Sequence, residues 1–303
     1  MIKVDHNFLR GSYTPVVTPF RDGKVNYEKF AELVDRQALE GSHGVVVAGT
    51  TGEPSSLTID ERTELVKVAV ETTSKRIPIV AATGSQSLSE TIELTAKAEK
   101  AGAGALLVVT PYYIKPPQDG LVQYFEEVGR RTDLPLLIYH IPGRAAVSIT
   151  PSTVAKISER LPNLVGIKHA ANDLEFLTEV LTRLGHHFRV FCGLEALSLP
   201  MLALGASGLM NAVANLAPAN VARLCDLVEQ GDLAGARDLH FQLFELSQSI
   251  FLETNPIPLK YMMARLGLLD TPEVRLPLVA IDRKRGKILD EVLARAGLLE
   301  RSS

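Results

Sequence analysis

Eight short runs of mostly apolar residues recur along the chain, and a segment of helical character separates each pair. Continuous apolar runs indicate strands that are covered on both faces, as in a parallel sheet. A βα unit repeated eight times favours a (β/α)8 TIM barrel of the α/β class over an open doubly wound sheet, although the count does not prove closure. The predicted strands are 14–20, 44–49, 77–82, 105–110, 135–140, 164–169, 188–193 and 206–211.

The helical segments carry their own start signals. Thr58 with Glu61 and Ser87 with Glu90 have the spacing of a capping box, in which a hydroxyl and a carboxylate satisfy free backbone donors. Thr150, followed by a proline, is a further predicted N-cap. These signals support the repeating βα pattern.

Beyond about residue 217 the pattern becomes helical only, with apolar residues at helical spacing. One helix is enough to complete a barrel, and the remaining length exceeds it. We therefore expect a catalytic barrel domain at 1–216, whose final helix continues to about 232, and a C-terminal helical extension at 233–303. The extension would serve as an oligomer contact or as additional packing.

Charge and cysteine content restrict the kinds of binding partner and the cellular compartment that we expect. The net charge is −3 and no basic run occurs, which argues against nucleic-acid binding. No apolar run approaches the roughly 20 residues that span a bilayer. Cys192 and Cys225 lack a CxxC spacing and no apolar segment follows the first residues, so we expect buried thiols in a cytoplasmic protein with small-molecule partners.

Two polar residues end neighbouring predicted strands, where a barrel of this kind has its active site. Lys168 ends the sixth run and Tyr139 ends the fifth. A partly desolvated lysine amine is more easily held neutral and attacks carbonyl groups, and a phenol beside it can carry protons. Each residue alone also fits an ordinary strand end, as a lysine that reaches water or as a packed tyrosine.

Three loops complete the predicted barrel mouth. The segment GTTGE at 49–53 offers hydroxyls and backbone N–H groups that suit a carboxylate, and it lacks the spacing of a nucleotide-binding loop. Tyr112, Tyr113 and Arg144 follow strands four and five, and a guanidinium there can hold a carboxylate through two hydrogen bonds. A tight turn and a solvated arginine are the alternative interpretations.

Over almost its whole length the chain resembles the dihydrodipicolinate synthase and N-acetylneuraminate lyase superfamily, and specifically its dihydrodipicolinate synthase (4-hydroxy-tetrahydrodipicolinate synthase) branch. Each motif is short, but five of them occur in the family's order. They are GTTGE at 49–53, VTPYY at 109–113, Tyr139 followed by Pro142 and Arg144, GIK at 166–168 and NPIPLK at 255–260.

The resemblance implies a lyase that condenses pyruvate with L-aspartate 4-semialdehyde on the way to diaminopimelate and lysine. It implies that Lys168 forms a Schiff base and that Tyr139 relays protons, with Thr51 linking it to Tyr113 of a neighbouring subunit. The covalent Schiff base makes a cofactor unnecessary. A dimer would be the minimum active unit, and a homotetramer built from dimers is the usual family assembly.

The resemblance also implies a set of substrate-binding residues and no metal. Arg144 would hold the carboxylate of the second substrate and Thr50 that of pyruvate. Gly193 and Met210 would complete the substrate-binding set.

Other functions remain open. His140 and His169 stand where the family often has asparagine and an acidic residue, and we expect both to flank the pocket, so another pyruvate-dependent aldolase or dehydratase is an alternative. A metal-dependent aldolase or hydrolase would use His140, His169 and Glu195 as ligands. A non-enzymatic sensor on the same barrel would keep Thr50 and Thr51.

Regulation by lysine is a separate question. The family's feedback site matches this chain at Glu90 and Tyr112, but Gln86 and Ile59 replace the familiar asparagine and histidine. We expect lysine to inhibit weakly or not at all.

Overall fold

A computed structural model describes residues 5–299 and forms a closed barrel of eight parallel strands. The barrel order is β1-β10-β9-β8-β7-β6-β5-β4, with β1 paired to β4, and the open-sheet alternative is therefore wrong. A two-stranded antiparallel hairpin, β2 and β3, lies outside the barrel. The strands are β1 Gly11–Pro15, β2 Phe20–Arg21, β3 Lys24–Val25, β4 Gly44–Val47, β5 Ile79–Ala82, β6 Ala105–Val109, β7 Leu136–His140, β8 Leu164–His169, β9 Arg189–Cys192 and β10 Gly208–Leu209.

Helices connect the barrel strands and continue after the last of them. The helices are α1 Tyr27–Leu39, α2 Ile59–Thr73, α3 Leu88–Lys100, α4 Gln118–Gly129, α5 Pro142–Ala145, α6 Pro151–Arg160, α7 Leu174–Leu184, α8 Ser198–Ala203, α9 Pro218–Glu229, α10 Leu233–Ser249, α11 Ile257–Arg265 and α12 Arg283–Arg295.

Seven of the predicted strands lie on the observed ones, and the bounds of the first are wrong. Strand β1 covers 11–15, whereas the predicted run was 14–20. The observed strand contains buried hydroxyl residues, Ser12 and Thr14, and Thr14 Oγ1 lies 3.2 Å from the hydroxyl of Ser42. Because this polar group is satisfied inside the fold, apolar composition does not reveal the strand.

Two of the predicted helix starts are confirmed and one is half correct. Thr58 and Glu61 form a complete capping box at α2, and the Thr150 hydroxyl caps α6. The Ser87 hydroxyl accepts from the backbone of Glu90 at α3, but the Glu90 carboxylate accepts instead from Ser85 Oγ at 2.7 Å. The second capping box is therefore incomplete.

The core has two layers that the strand alternation separates. An inner cluster fills the barrel and includes Tyr13, Leu107, Tyr139, Phe191 and Met210. A larger outer cluster lies between the strands and the surrounding helices. Side chains at even and odd positions of one strand consequently face different environments.

The C-terminal helices belong to the outer cluster. Leu243 of α10, Leu259 of α11 and Leu289 of α12 are buried in the same cluster as the barrel helices. Helix α9 ends at Glu229 rather than at about 232. The division into a barrel at 1–216 and an extension at 233–303 stays a prediction, and residues 300–303 lie outside the described part.

Cys192 and Cys225 are free and buried, as predicted. Burial raises the pKa of the Cys192 thiol to about 12, so this group is not a thiolate nucleophile near neutral pH. Between residues 5 and 299, no helix combines the length and apolar character needed to cross a membrane.

Candidate active site

A cavity of about 470 Å³ opens at the C-terminal ends of the barrel strands. This is the end at which barrels of this kind place their chemistry. Loops that follow β4, β5, β6 and β7 contribute its wall, and two segments from the C-terminal part close one side. The polar lining residues are Thr50, Glu53, Ser55, Ser56, Arg62, Glu90, Tyr112, Tyr139, Arg144, Thr254, Asn255 and Arg275.

Lys168 and Tyr139 occupy one rung at the end of the neighbouring strands β8 and β7. Lys168 Nζ lies 4.3 Å from the centroid of the Tyr139 ring. The lysine is 5% exposed and does not itself line the cavity, whereas the tyrosine does. The amine therefore lies against the phenol ring, which itself lines the cavity.

Gly193 and Met210 lie beside this pair. A Cβ atom at Gly193 would lie 2.8 Å from Lys168 Cε, so only glycine leaves room for the lysine stem. Met210 is buried in the inner cluster together with Tyr139. Neither residue lines the cavity, and their part in substrate binding stays a prediction.

The turn after β4 connects the phenol to the C-terminal segment. Thr50 Oγ1 donates a hydrogen bond to Tyr139 Oη at 3.3 Å. Thr51 is buried, and its Oγ1 accepts from Asn255 Nδ2 at 3.0 Å. Arg144 donates to the backbone carbonyl of Asn255 at 3.4 Å and lines the cavity. Asn255 thereby links the turn at 49–53 to the guanidinium group of Arg144.

Tyr113 is not brought to the other predicted residues within this chain. Its side chain is 84% exposed, and its backbone is left-handed, with φ of 73°. Its neighbour Ile114 is 59% exposed. A tyrosine held in this conformation away from the cavity either faces solvent or acts outside its own subunit.

A buried ion pair fixes the end of the turn at 49–53, which follows β4. Lys260 Nζ of α11 lies 2.5 Å from Glu53 Oε1 and donates to the Glu273 carbonyl at 2.7 Å. It also lies 4.1 Å from the centroid of the Phe20 ring. Burial lowers the pKa of Lys260 to about 8 even though Glu53 favours the charged form. The C-terminal helices therefore hold the 49–53 turn in place.

The part of the cavity that Arg62, Glu90 and Tyr112 line contains a buried guanidinium group. Arg62 is buried, and it donates to the Ala82 carbonyl at 2.7 Å. Burial lowers its pKa, and the Glu90 carboxylate opposes that effect. The Glu90 carboxylate therefore has the positively charged Arg62 as a neighbour in this part of the cavity.

His140 and His169 do not flank the pocket, and that expectation is wrong. Both point to the outer side of the barrel, where the His169 ring stacks on Phe176 of α7 with centroids 4.3 Å apart. Because Tyr139 and Lys168 face inward, the strand alternation directs the next residues outward.

The predicted metal ligands do not form a site either. Glu195 is buried and accepts from the Ala212 backbone at 2.7 Å, and its second oxygen has no hydrogen-bond partner in the described chain. Burial raises its pKa to about 7. Within residues 5–299, no group of three His, Cys, Asp or Glu side chains is placed to hold a metal ion.

Several residues of the site were not singled out by the sequence. Asn255 and Lys260 lie in the NPIPLK motif and Glu53 ends GTTGE, so the motifs contain them without revealing their contacts. Arg62 carries no sequence signal. The arrangement places an amine, a phenol and a hydroxyl next to a cavity that presents a guanidinium, which suits carbonyl chemistry on a carboxylate substrate.

Comparisons with known proteins agree with this arrangement. Residues 8–296 match the model of the dihydrodipicolinate synthetase family. The 4-hydroxy-tetrahydrodipicolinate synthase of Thermus thermophilus is 47% identical over 292 residues, which cover 96% of this chain and 97% of the relative. The crystal structure of dihydrodipicolinate synthase from Thermotoga maritima aligns with a TM-score of 0.93 and 38% identity over 96% of this chain and 99% of that chain.

A further solved structure, described as the first monomeric dihydrodipicolinate synthase variant, aligns with a TM-score of 0.94 and 37% identity over 97% of this chain and 99% of that chain. The fold, the lysine and tyrosine at the strand ends and the near full-length matches all lead to one assignment. The chain belongs to the dihydrodipicolinate synthetase family.

Proposed function

We propose that this chain is a Schiff-base-forming lyase that condenses pyruvate with L-aspartate 4-semialdehyde to 4-hydroxy-tetrahydrodipicolinate. The observation that carries the proposal is the rung shared by Lys168 and Tyr139 beside the cavity. The full-length similarity to enzymes of that name supports the choice of substrates. The reaction belongs to the biosynthesis of diaminopimelate and lysine.

In the proposed first step, the neutral amine of Lys168 attacks the keto carbon of pyruvate and forms a carbinolamine. Tyr139 donates a proton to the departing hydroxyl, water leaves and an imine remains. The hydrogen bond from Thr50 stabilises the phenolate that forms for a moment. Loss of a proton from the methyl carbon then gives the nucleophilic enamine.

The enamine carbon attacks the aldehyde of the second substrate and forms the new carbon–carbon bond. The amino group of that substrate then attacks the imine carbon, closes the ring and releases Lys168. One water molecule leaves overall, in the imine-forming step. Arg144 on the cavity wall holds the carboxylate of the aldehyde substrate, and Asn255 fixes the direction of the guanidinium.

The proposed subunit arrangement is a homotetramer built from dimers, with Tyr113 acting on the neighbouring site. The hydroxyl that contacts Tyr139 is that of Thr50 and not that of Thr51, the predicted link, whose Oγ1 bonds to Asn255. The exposed, left-handed Tyr113 supports this arrangement, since its side chain has no place in its own cavity.

We propose that no cofactor is needed, because Lys168 supplies the covalent electron sink. The two free thiols fit the reducing cytoplasm that we propose as the compartment.

Borohydride reduction in the presence of pyruvate tests the proposal. We expect mass spectrometry of the digested protein to find one reduced pyruvate adduct, on Lys168. Lys168→Arg keeps the charge and should give none. Absence of an adduct on the wild-type protein, or an adduct on another lysine, would contradict the proposed chemistry.

A coupled assay with aspartate semialdehyde then identifies the acceptor. We expect turnover with this aldehyde and far less with sugar-acid aldehydes of similar length. A trapped pyruvate adduct without turnover on aspartate semialdehyde would favour another pyruvate-dependent aldolase or dehydratase of the superfamily.

A further inference from the structure

A pair of buried histidines lies directly behind the two central residues of the site. His140 and His169 follow Tyr139 and Lys168 on β7 and β8 and occupy the next rung of the sheet. Their Nδ1 atoms are 3.1 Å apart. Both residues are almost completely buried, at 3% and 0% exposed.

The hydrogen bonds fix the tautomer of each ring. His169 Nε2 lies 3.0 Å from the backbone carbonyl of Asp173, which only accepts, so Nε2 carries the hydrogen. The neutral ring then has a bare Nδ1 that accepts from the Nδ1–H of His140. His140 Nε2 consequently has no hydrogen, and this buried atom has no hydrogen-bond partner in the described chain.

The surroundings keep the pair neutral. Phe176 of α7 packs against both rings, with centroids 4.9 Å from His140 and 4.3 Å from His169. The titratable groups that act on the pair are the other ring and Asp173, whose carboxylate caps α7 by accepting from the backbone of Phe176. Burial lowers the pKa of both imidazoles. A proton added at His140 Nε2 would have no acceptor.

The two histidines connect β7 and β8 at the end opposite an irregularity in the strand pairing. A bulge between Leu136 and Leu137 shifts the pairing of β7 with β8 at the start of the strands, because Leu136 pairs with Leu164 and Leu137 pairs with Gly166. The side-chain bond between the histidines connects the strands at the opposite end, one residue past the catalytic rung. The carbonyl of His169 also accepts from Gly193, which makes room for the lysine stem.

We infer that His140 and His169 are positioning residues, whose Nδ1–H···Nδ1 hydrogen bond holds the ends of β7 and β8 so that the Lys168 amine stays over the Tyr139 ring. The inference rests on the proposed function of Lys168. It assigns a role to two residues that do not line the cavity.

The test measures how fast the reduced pyruvate adduct forms on Lys168 in matched variants. His140→Phe keeps an aromatic ring against Phe176 but removes the donor, and we expect adduct formation to slow about tenfold, as small misplacements of reacting groups do. His140→Asn retains an N–H that can reach His169, and it should recover most of the wild-type rate. Thermal unfolding of each variant controls for loss of the fold.

The pH profile separates positioning from general damage. In the wild-type protein, the rate of adduct formation should fall on the acid side as the His140 ring takes up a proton. In His140→Phe/His169→Phe, the part of that acid limb due to the imidazoles should disappear while the rate stays low throughout. Wild-type rates in the double variant, or equal losses in His140→Phe and His140→Asn, would overturn the inference.

Nitrogen-15 spectra of histidine-labelled wild-type protein supply a measurement that needs no variant. We expect hydrogen on Nδ1 of His140 and on Nε2 of His169. Hydrogen on Nε2 of both rings would overturn the inference even if the phenylalanine variants do not fold. Failure of the wild-type protein to form any adduct would instead refute the proposed function.

Discussion

Lys260 Nζ lies 2.5 Å from Glu53 Oε1, and this pair ties the turn that carries Thr50 to helix α11. Both side chains are buried. Removing one partner of such a pair leaves an unpaired buried charge and costs about 3–5 kcal/mol. We expect Lys260→Met to lower the free energy of unfolding by that amount, measured by chemical denaturation, and to reduce turnover because the turn loosens.

Two further variants make this test specific. Lys260→Met/Glu53→Leu removes both charges and should recover most of the lost stability. Lys97→Met breaks an exposed pair with Asp60 and should leave the unfolding curve nearly unchanged. Wild-type stability in the Lys260→Met protein would mean that the buried pair contributes nothing.

Acid should destabilise the protein through His140. Burial lowers its pKa from 6.5 to about 4, so between these values the unfolded chain binds a proton that the folded chain does not. The stabilising contribution is complete above pH 6.5 and is lost as the pH falls towards 4, by about 3 kcal/mol in total. Denaturation curves across this range should show a smaller decline for His140→Phe than for the wild-type protein. Parallel declines would contradict the assignment.

Glu195 should produce the opposite trend. Burial raises its pKa from 4.5 to about 7, so the folded chain keeps a proton that the unfolded chain has released. Its contribution is complete below pH 4.5 and is lost as the pH rises through 7, again by about 3 kcal/mol. Glu195→Gln should therefore gain stability relative to the wild-type protein as the pH rises from 4.5 to 7. A pH-independent difference in unfolding free energy between the two proteins would refute this.

Complementation between inactive subunits tests the role of Tyr113. Tyr113→Phe and Lys168→Ala should each lose most of the activity on their own. In a mixed dimer, the Tyr113→Phe subunit keeps Lys168 and receives Tyr113 from its partner, so one complete site forms. We expect co-expression of the two variants to restore a substantial fraction of the turnover.

The control for this experiment mixes Lys168→Ala with Tyr139→Phe, followed by the same purification. If Tyr139 acts within its own subunit, neither site of that mixed dimer is complete and activity stays low. Light scattering should show a dimer or a larger assembly in every sample. A fully active Tyr113→Phe protein would exclude the proposed role.

Lysine should inhibit weakly or not at all. The part of the cavity that Glu90 and Tyr112 line also contains the buried guanidinium of Arg62. This guanidinium competes with the ammonium group of a bound lysine for the Glu90 carboxylate. We expect initial rates to change little across the micromolar range of lysine. Arg62→Gln removes the competing charge and should increase any inhibition. Half-inhibition of the wild-type protein at micromolar lysine would contradict this prediction.

The strand ends were the most predictable part of the molecule. The run LVGIKH coincides with β8, and continuous apolar composition places Lys168 at its C-terminal end without any structural information. The same alternation that turns Tyr139 inward turns His140 outward, so the outward position of His140 follows from the sequence as well. Strand β1 was harder, since its buried hydroxyl groups resemble a loop.

Contacts between distant parts of the chain were not predictable from local patterns. Asn255 and Thr51 are 204 positions apart, and Lys260 and Glu53 are 207 positions apart. Periodicity describes which face of a helix is buried but not which loop that face meets. The proposed action of Tyr113 on a neighbouring subunit depends on contacts between chains, which local patterns within one chain do not reveal.

Gly193 limits which substitutions related enzymes can accept next to this cavity. A methyl group there would press on the Lys168 stem at 2.8 Å, so the β9 side of the barrel mouth cannot acquire a side chain without displacing the nucleophile. Pro277 and Leu278, by contrast, line the cavity itself. Changes in acceptor preference among related enzymes should therefore accumulate at such lining positions, while the position next to the amine stays glycine.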